Sequence, residues 1–279
     1  MLDVRKVQAW VAAAVLLVSA GAAYAQFGFG FRGDGNAAPR FPPALRKDRA
    51  FSFCRILYTS VRREPAGGGW RTDYPYGEIN LMIRLSELTK TPVPFEAERQ
   101  PIHYVVRLTD AALFECPMTM ASDVGTIGLS AAEAEQLRLY LLKGGFLWVD
   151  DFWGTAAWQQ WTREMAKVFP ASEYPIEDVP MSDPIFGSQF IVTEVPQITN
   201  IGFWRRSGGR ETSERGADSI DAHFRAIRDA RGRIMVVMTH NTDVADSWER
   251  EGEDPGFFYQ FSPKGYALGI NVLLYAMTH

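Results

Sequence analysis

The sequence lacks the features that several large classes of protein require. With only two cysteines, it can be neither a disulfide-stapled miniprotein nor a zinc module with four cysteine ligands. Its 29 basic and 33 acidic residues are interspersed, so no basic patch indicates nucleic-acid binding. After residue 25, no stretch approaches the run of about 18 apolar residues that a membrane-spanning helix needs. The hydrophobic share of 47% is otherwise ordinary for a globular protein.

The N-terminal segment has the pattern of an export signal. Two basic residues precede an apolar run over residues 7–18, and the small-residue pattern Ala23-Tyr24-Ala25 follows. The apolar run is too short to cross a hydrocarbon core of about 30 Å. We therefore expect a signal peptide over residues 1–25 that is cleaved between Ala25 and Gln26, giving a periplasmic or secreted protein. An uncleaved N-terminal anchor is the alternative.

Residues 26–50 are rich in glycine and proline, which break helices and strands. We expect this segment to be a flexible linker between the export signal and the folded part of the chain. The alternative is that its Phe-Gly repeat docks on the domain. The remaining residues, 51–279, are expected to form a single domain.

Apolar strands alternate with amphipathic helices along residues 51–279. The predicted strands cover residues 51–58, 102–108, 113–120, 146–149, 222–229 and 234–239, and the predicted helices cover 77–89, 130–143, 155–169 and 266–278. Residues 170–221 show no clean period. The second helix carries a capping box, Ser130 with Glu133, and ends at two glycines. The alternation predicts a three-layer α/β fold with a mostly parallel sheet, helices on both faces and one antiparallel edge hairpin.

We expect both cysteines to be free thiols. Cys54 lies early in the first predicted strand and Cys116 late in the third. Parallel strands would hold them at opposite ends of the sheet, beyond the Cα separation of about 7 Å that a disulfide allows. A nucleophilic Cys116 is the alternative, but its neighbours include no glycine to form the strained turn of a nucleophile elbow.

Ligands of open α/β sheets bind beyond the carboxyl ends of the strands, where the strand order reverses. The informative residues are therefore the polar and aromatic side chains that follow strands. The candidate ligand-binding residues are Trp70, Asp73, Tyr74, Asn80, Asp150, Asp151, Asn241, Asp243 and Trp248. Asp150 and His240 are also candidates for acid–base catalysis, and the alternative for both is a structural, hydrogen-bonded role. We expect Asp73, Asp150 and His240 to lie on one side of the domain.

The sequence assigns neither a metal nor a cofactor. Acidic and histidine side chains at the strand ends would suit a hard or borderline cation, but spacing across separate strands fixes no ligand geometry. Residues 67–69 are three glycines without the Lys-Ser/Thr of a phosphate-binding P-loop, and no serine lies in a G-x-S-x-G pattern.

Three segments together carry a family resemblance. They are GGGWRTDYPYGEINLMIRLSELT at 67–89, LRLYLLKGGFLWVDDFWG at 137–154 and GRIMVVMTHNTDVADSWERE at 232–251. They resemble an uncharacterised family of exported bacterial proteins, a domain of unknown function with a class I glutamine-amidotransferase-like fold. The resemblance covers about residues 51–279 and implies a flavodoxin-like sheet and an exported location.

The resemblance does not imply glutaminase activity. Amidotransferases need a cysteine on a glycine-flanked turn and a later His-x-Glu. This chain instead has Glu115-Cys116-Pro117 and His240-Asn241-Thr242-Asp243.

These features favour non-catalytic binding of a ligand or partner. Aromatic side chains would form the contact surface (Trp70, Tyr74, Trp153 and Trp248), and Asp73, Asp150 and His240 would fix polar groups. The alternative is a hydrolase-like enzyme acting on a small or carbohydrate substrate, with His240 or Asp150 as general base. A hydrogen bond between His240 and either Asp150 or Asp151 in an open cleft would favour the enzyme. The expected partners are a small molecule or an envelope protein, without nucleic acid and without a membrane span in the mature chain.

Overall fold

The computed structural model describes residues 37–43, 51–96 and 100–279. Its strands are β1 (Phe53–Leu57), β2 (Thr59–Ser60), β3 (His103–Arg107), β4 (Thr119–Ser122), β5 (Ile127–Gly128), β6 (Leu147–Phe152), β7 (Glu177–Asp178), β8 (His223–Arg228) and β9 (Ile234–His240). Its α-helices are α1 (Tyr76–Leu88), α2 (Ala131–Leu142), α3 (Gly154–Val168), α4 (Ile201–Arg206), α5 (Asp246–Glu249) and α6 (Pro255–Thr278). The predicted signal peptide and most of the predicted linker lie outside the described residues.

Seven strands form the main sheet, in the order β3-β1-β4-β6-β9-β8-β7. The first five of these are mutually parallel, while β8 runs antiparallel to β9 and β7 antiparallel to β8. Numbered along the chain, the five parallel strands have the order 2-1-3-4-5, so the winding direction reverses between β1 and β4. The predicted mostly parallel sheet with an antiparallel edge pair is confirmed.

Helices cover both faces of this sheet and enclose two apolar cores. Along β6, Trp148 faces the core formed with α1 and α6, whereas Leu147 and Val149 face the core formed with α2 and α3. Because both faces of β6 are buried, its sequence is a continuous apolar run rather than an alternating one. The predicted capping box is present at the start of α2, where Glu133 N–H donates to the Ser130 hydroxyl and the Glu133 carboxylate accepts from Ser130 N–H.

The prediction of two free thiols is wrong, because Cys54 and Cys116 form a disulfide with their Cα atoms 6.0 Å apart. The error lies in the third predicted strand. Residues 111–115 form a 3-10 helix and β4 starts only at Thr119, after Pro117. Cys116 therefore precedes the amino end of β4, where Thr119 is in register with Cys54 on β1. The two thiols lie at the same end of the sheet.

Residues 37–43 lie against the outer edge of β3. Val105 N–H on this strand donates to the Arg40 carbonyl at 2.8 Å, and the Arg107 guanidinium stacks 4.4 Å from the centre of the Phe41 ring. These seven residues of the predicted linker thus contact the domain, whereas the Phe-Gly repeat lies outside the described residues.

The last helix is longer than its apolar period indicated. Asp254 accepts hydrogen bonds from Gly256 N–H and Phe257 N–H and so caps α6, with Pro255 in the first helical position. The helix then continues through Pro263. Across the described part of the chain, no helix combines the length and apolarity needed to cross a membrane.

Candidate functional site

Five carboxylates from three loops meet beyond the carboxyl ends of the parallel strands. Oxygen atoms of Asp73, Asp151 and Asp243 lie within 4.8 Å of one another, and so do those of Asp73, Asp246 and Glu249. Asp73 lies on the loop between β1 and α1, Asp151 near the end of β6, and the other three on the segment that follows β9. We call this group of five residues the acidic crevice. It lies at the sheet edge where ligands bind in doubly wound folds.

Burial disfavours the charged form of these carboxylates. Asp73, Asp243 and Asp246 are 7%, 3% and 1% exposed. Burial, followed by the charges of neighbouring acids, raises the pKa of Asp151, Asp243 and Asp246 well above its usual range. Burial and the charge of Asp73 raise the pKa of Glu249 to about 7. Each of these carboxyl groups is therefore protonated more readily than a solvent-exposed one.

The two groups of carboxylates differ in how their charge is balanced. The Arg250 guanidinium lies 2.7 Å from Glu249 and 3.7 Å from Asp246. By contrast, no lysine or arginine of the described ranges forms a salt bridge with Asp73, Asp151 or Asp243. We call these three residues the aspartate triad. It is the part of the crevice that lacks a cation in direct contact.

Several residues at this edge of the sheet have a left-handed backbone conformation. Asp73, Asp123, Asp151 and Asn241 have φ angles of 65°, 53°, 52° and 61°. Aspartate and asparagine adopt this conformation more readily than other residues with a side chain, but at a cost. Such strain persists where the surrounding structure fixes it, and it clusters at functional sites.

A buried network of hydrogen bonds and one ion pair positions Asp73 from the side of the sheet. Arg55 on β1 is fully buried, pairs with Glu78 on α1 and donates to the Ser122 hydroxyl at 2.9 Å. Ser122 in turn donates to the Asp73 carboxylate at 2.9 Å. Arg55 also donates to the Thr72 carbonyl at 2.9 Å, which holds the turn that carries Asp73.

Asp150 has a structural role in its loop. Its carboxylate accepts a hydrogen bond from the Thr239 hydroxyl at 2.5 Å and another from Ala245 N–H at 2.9 Å. It is fully buried, and burial raises its pKa to about 7. Asp150 thus ties β6 and β9 to the segment before α5, which is the loop-bonding alternative considered for it.

His240 has partners on both ring nitrogens. Arg225 donates to its Nδ1 at 3.2 Å, and because arginine only donates, Nε2 carries the proton and donates to the Gly154 carbonyl at 3.2 Å. Burial lowers the pKa of His240 to about 4, so the ring is neutral near pH 7. Within the described residues, no hydrogen bond joins His240 to Asp150 or Asp151. The geometry required for the proposed general base is not found.

Three other candidates also support the fold. The Asn241 amide oxygen accepts from Gly154 N–H at the start of α3, and the Asn80 amide donates to the Trp248 carbonyl at 2.6 Å. Trp248 is fully buried against Trp148, so it belongs to the core rather than to a contact surface.

Two aromatic candidates lie beside the acidic residues of the site. Trp70 is partly exposed and its ring lies 5.5 Å from that of Tyr74, beside the Asp73 turn. Sequence reasoning placed Asp243 and Asp246 after the last strand but selected only Asp243 as a candidate ligand-binding residue, and it missed Glu249. The signal was available, because these acids recur at every third residue and α5 starts at the second of them.

Carboxylate oxygens are the preferred ligands of hard divalent cations such as Ca²⁺, Mg²⁺ and Mn²⁺. The aspartate triad supplies three such ligands without a competing salt bridge. A bound cation would also offset the unfavourable burial of negative charge.

Comparison with known proteins complements this geometry. No curated protein matches the chain. A family model described as a domain of unknown function, DUF4159, matches residues 52–277, which span the whole sheet and its helices. The chain therefore belongs to the DUF4159 family of domains of unknown function.

Proposed function

We propose that this is an exported, non-catalytic binding protein that holds its ligand through a divalent cation on the aspartate triad. The observation that carries the proposal is the meeting of Asp73, Asp151 and Asp243, whose oxygens lie within 4.8 Å of one another and form no salt bridge with a lysine or arginine in the described part of the chain. Three protein carboxylates leave further coordination positions of a six- to eight-coordinate cation open to a ligand. Oxygen-rich small molecules or an acidic group of an envelope protein would fill them.

A cation is the counter-charge that best suits this site. The two neighbouring arginines are already engaged, Arg250 with Glu249 and Arg55 with Glu78. A divalent ion would displace the protons that burial otherwise keeps on Asp151 and Asp243. The partly exposed Trp70 beside the Asp73 turn offers an apolar contact for the ligand.

Two features support export. The first 25 residues have the signal-peptide pattern, and the Cys54–Cys116 disulfide is of the kind that persists in oxidising compartments. Mass spectrometry of the protein from its native envelope should find Gln26 at the N-terminus. A chain that retains Met1 in the membrane would contradict this proposal.

A glutamine-amidotransferase-like ancestry is part of the proposal. The parallel-strand order 2-1-3-4-5 is that of flavodoxin-like sheets, which supports the resemblance. Glutaminase activity is not proposed, because Cys116 is engaged in a disulfide and cannot act as a thiolate nucleophile.

Titration of the mature protein with Mn²⁺ tests the cation site directly. The electron paramagnetic resonance signal of free Mn²⁺ should decrease with a Kd of about 1 mM or tighter at pH 7. Asp243→Asn should weaken binding strongly, whereas the matched control Asp178→Asn, at a side chain that is 72% exposed, should not. Equal binding by the parent and Asp243→Asn, or no binding by the parent, would refute the proposal.

A metal-assisted hydrolase is the second candidate. Asp73 is shared by both groups of carboxylates, and a shared carboxylate is suited to bridge two cations that activate water. Hydrolysis of phosphate or carboxylate esters that depends on Mn²⁺ and is abolished by Asp73→Asn would favour this reading. Mn²⁺ binding without turnover of such esters would favour the binding protein.

A further inference from the structure

We propose that residues 37–43 form a releasable strap that regulates the aspartate triad by holding the turn that carries Asp73. This inference rests on the cation site proposed above and concerns its regulation. It connects the N-terminal end of the domain to the acidic crevice.

The strap contacts both sides of the Asp73 turn. Arg71 donates to the Ala37 carbonyl at 2.6 Å. The Tyr74 hydroxyl donates to the Ala38 carbonyl and accepts from Arg40 N–H, both at 3.2 Å. The residues that flank Asp73 are therefore held by the strap, while the buried Arg55 network holds the same turn from the sheet side.

The geometry of this turn decides whether the triad can form. Asp73 has a φ of 65°, which is a strained conformation that persists only where neighbours fix it. Its carboxylate must stay within 4.8 Å of the oxygens of Asp151 and Asp243, which are on other loops. Loosening one side of the turn would allow Asp73 to relax away from its partners.

The strap is attached weakly enough to be released. None of its residues is buried, and Phe41 is 40% exposed. Among the described residues, one backbone-to-backbone hydrogen bond, from Val105 N–H to the Arg40 carbonyl, joins it to the sheet, and the Arg40–Glu96 ion pair is partly exposed. Segments with few buried contacts open at low free-energy cost. The prolines at positions 39, 42 and 43 keep the strap extended and reduce the entropy cost of docking again.

Coupling between the two events must be reciprocal. If docking of the strap favours the cation-binding geometry, cation binding must favour docking by the same factor. Tension, cleavage or a competing partner at the N-terminal side would then lower the affinity of the site for its cation.

The test uses the full mature chain and two variants with Mn²⁺ as the probe. In the first variant, residues 37–43 are replaced by a Gly-Ser sequence of the same length. In the second, Tyr74→Phe removes the hydroxyl that bonds the strap but keeps the ring that packs near Trp70. Tyr259→Phe, at a side chain that is 79% exposed, is the matched control.

Binding affinity and hydrogen exchange give separate readouts. Both variants should bind Mn²⁺ at least about fivefold more weakly than the parent, and combining them should add little further. In the parent, Mn²⁺ should slow amide exchange at Val105, whose N–H bonds the strap. Parent-like affinity in both variants, or exchange at Val105 that ignores Mn²⁺, would overturn the strap while leaving the cation site intact. A parent that binds no Mn²⁺ would overturn both proposals.

Discussion

Lowering the pH from 7 to 6 should weaken Mn²⁺ binding at the aspartate triad by about 100-fold. Burial and acidic neighbours raise the pKa of Asp151 and Asp243 well above its usual range, so both hold protons before the cation arrives. Burial also raises the pKa of Asp73, but the charge of Arg55 and the hydrogen bond from Ser122 oppose that rise, so only the protons on Asp151 and Asp243 are counted. The cation thus displaces about two protons, and each contributes about 1.4 kcal/mol per pH unit.

Two measurements check this number. Mn²⁺ titrations followed by electron paramagnetic resonance at several pH values give the slope of log Kd against pH, which should be about −2. Calorimetry in two buffers of different ionisation enthalpy counts the released protons independently. A slope near zero would show that the triad is already ionised, and the argument from buried unbalanced charge would then be refuted.

Protons on other buried carboxyl groups give the cation-free protein an unusual pH dependence of stability. Because burial raises the pKa of Asp123, Asp150 and Glu249 to about 7 in the folded state, their stabilising contribution is complete in acid and is lost as the pH rises towards 7. His103 and His240, whose pKa burial lowers to about 4, act in the opposite direction but are fewer. The Tm without added cation should therefore fall between about pH 5 and 7, and saturating Mn²⁺ should remove only the part of the fall that comes from Asp151 and Asp243. A Tm that rises equally with and without Mn²⁺ would contradict this.

Three further predictions concern the fold. Replacing both cysteines with alanine should lower the free energy of unfolding in urea by about 4 kcal/mol, given a sequence separation of 62 residues; an unchanged midpoint would exclude the disulfide as a restraint. Gly265→Ala should destabilise strongly, because a Cβ there would lie 1.8 Å from the Ser247 hydroxyl, whereas the control Gly187→Ala meets no atom within 4 Å and should be nearly neutral. Asp150→Ala should cost about 1–3 kcal/mol by leaving the buried Ala245 N–H without an acceptor, since the Thr239 hydroxyl can still donate to the Val149 carbonyl at 3.1 Å. The core change Leu147→Ala should cost about 2–5 kcal/mol, and a parent-like Asp150→Ala would show that the bonds of Asp150 contribute nothing.

The parts of the fold that the sequence predicts are those specified locally. The buried run of β6 and the capping box of α2 lie within short windows, so their signals survive in a single chain. Residues 170–221 gave no such signal, because side chains far apart in sequence support this region. Glu214, for example, accepts from the Thr199 hydroxyl and from Asn200 N–H.

The location of the candidate site in the fold could be predicted from the sequence, but the side chains that form it could not. Strand order alone directs attention to the residues near the ends of β1, β6 and β9, among them Asp73, Asp151 and Asp243, whose carboxylates lie close together in the structure. It cannot tell which of two adjacent aspartates points outward, since that depends on the positive φ of Asp151. Asp150 instead bonds to Thr239 on β9 and to Ala245 N–H beyond it, and these partners are 89 and 95 residues away in the sequence, too far for a local pattern to predict.

The docked segment at residues 37–43 also affects how the sheet ends. A strand at the border of a sheet exposes backbone groups that invite pairing with another chain, and proteins guard against this. On the β3 border, the Arg40 carbonyl accepts the hydrogen bond of Val105 N–H, and the neighbouring prolines at positions 39, 42 and 43 have no N–H to donate to a further strand. On the other border, β7 has only two residues, Glu177 and Asp178, and both are exposed acids. The seven-stranded sheet is thus closed to further strands on both sides, and a chain shortened past residue 43 would lose one of these two guards against self-association.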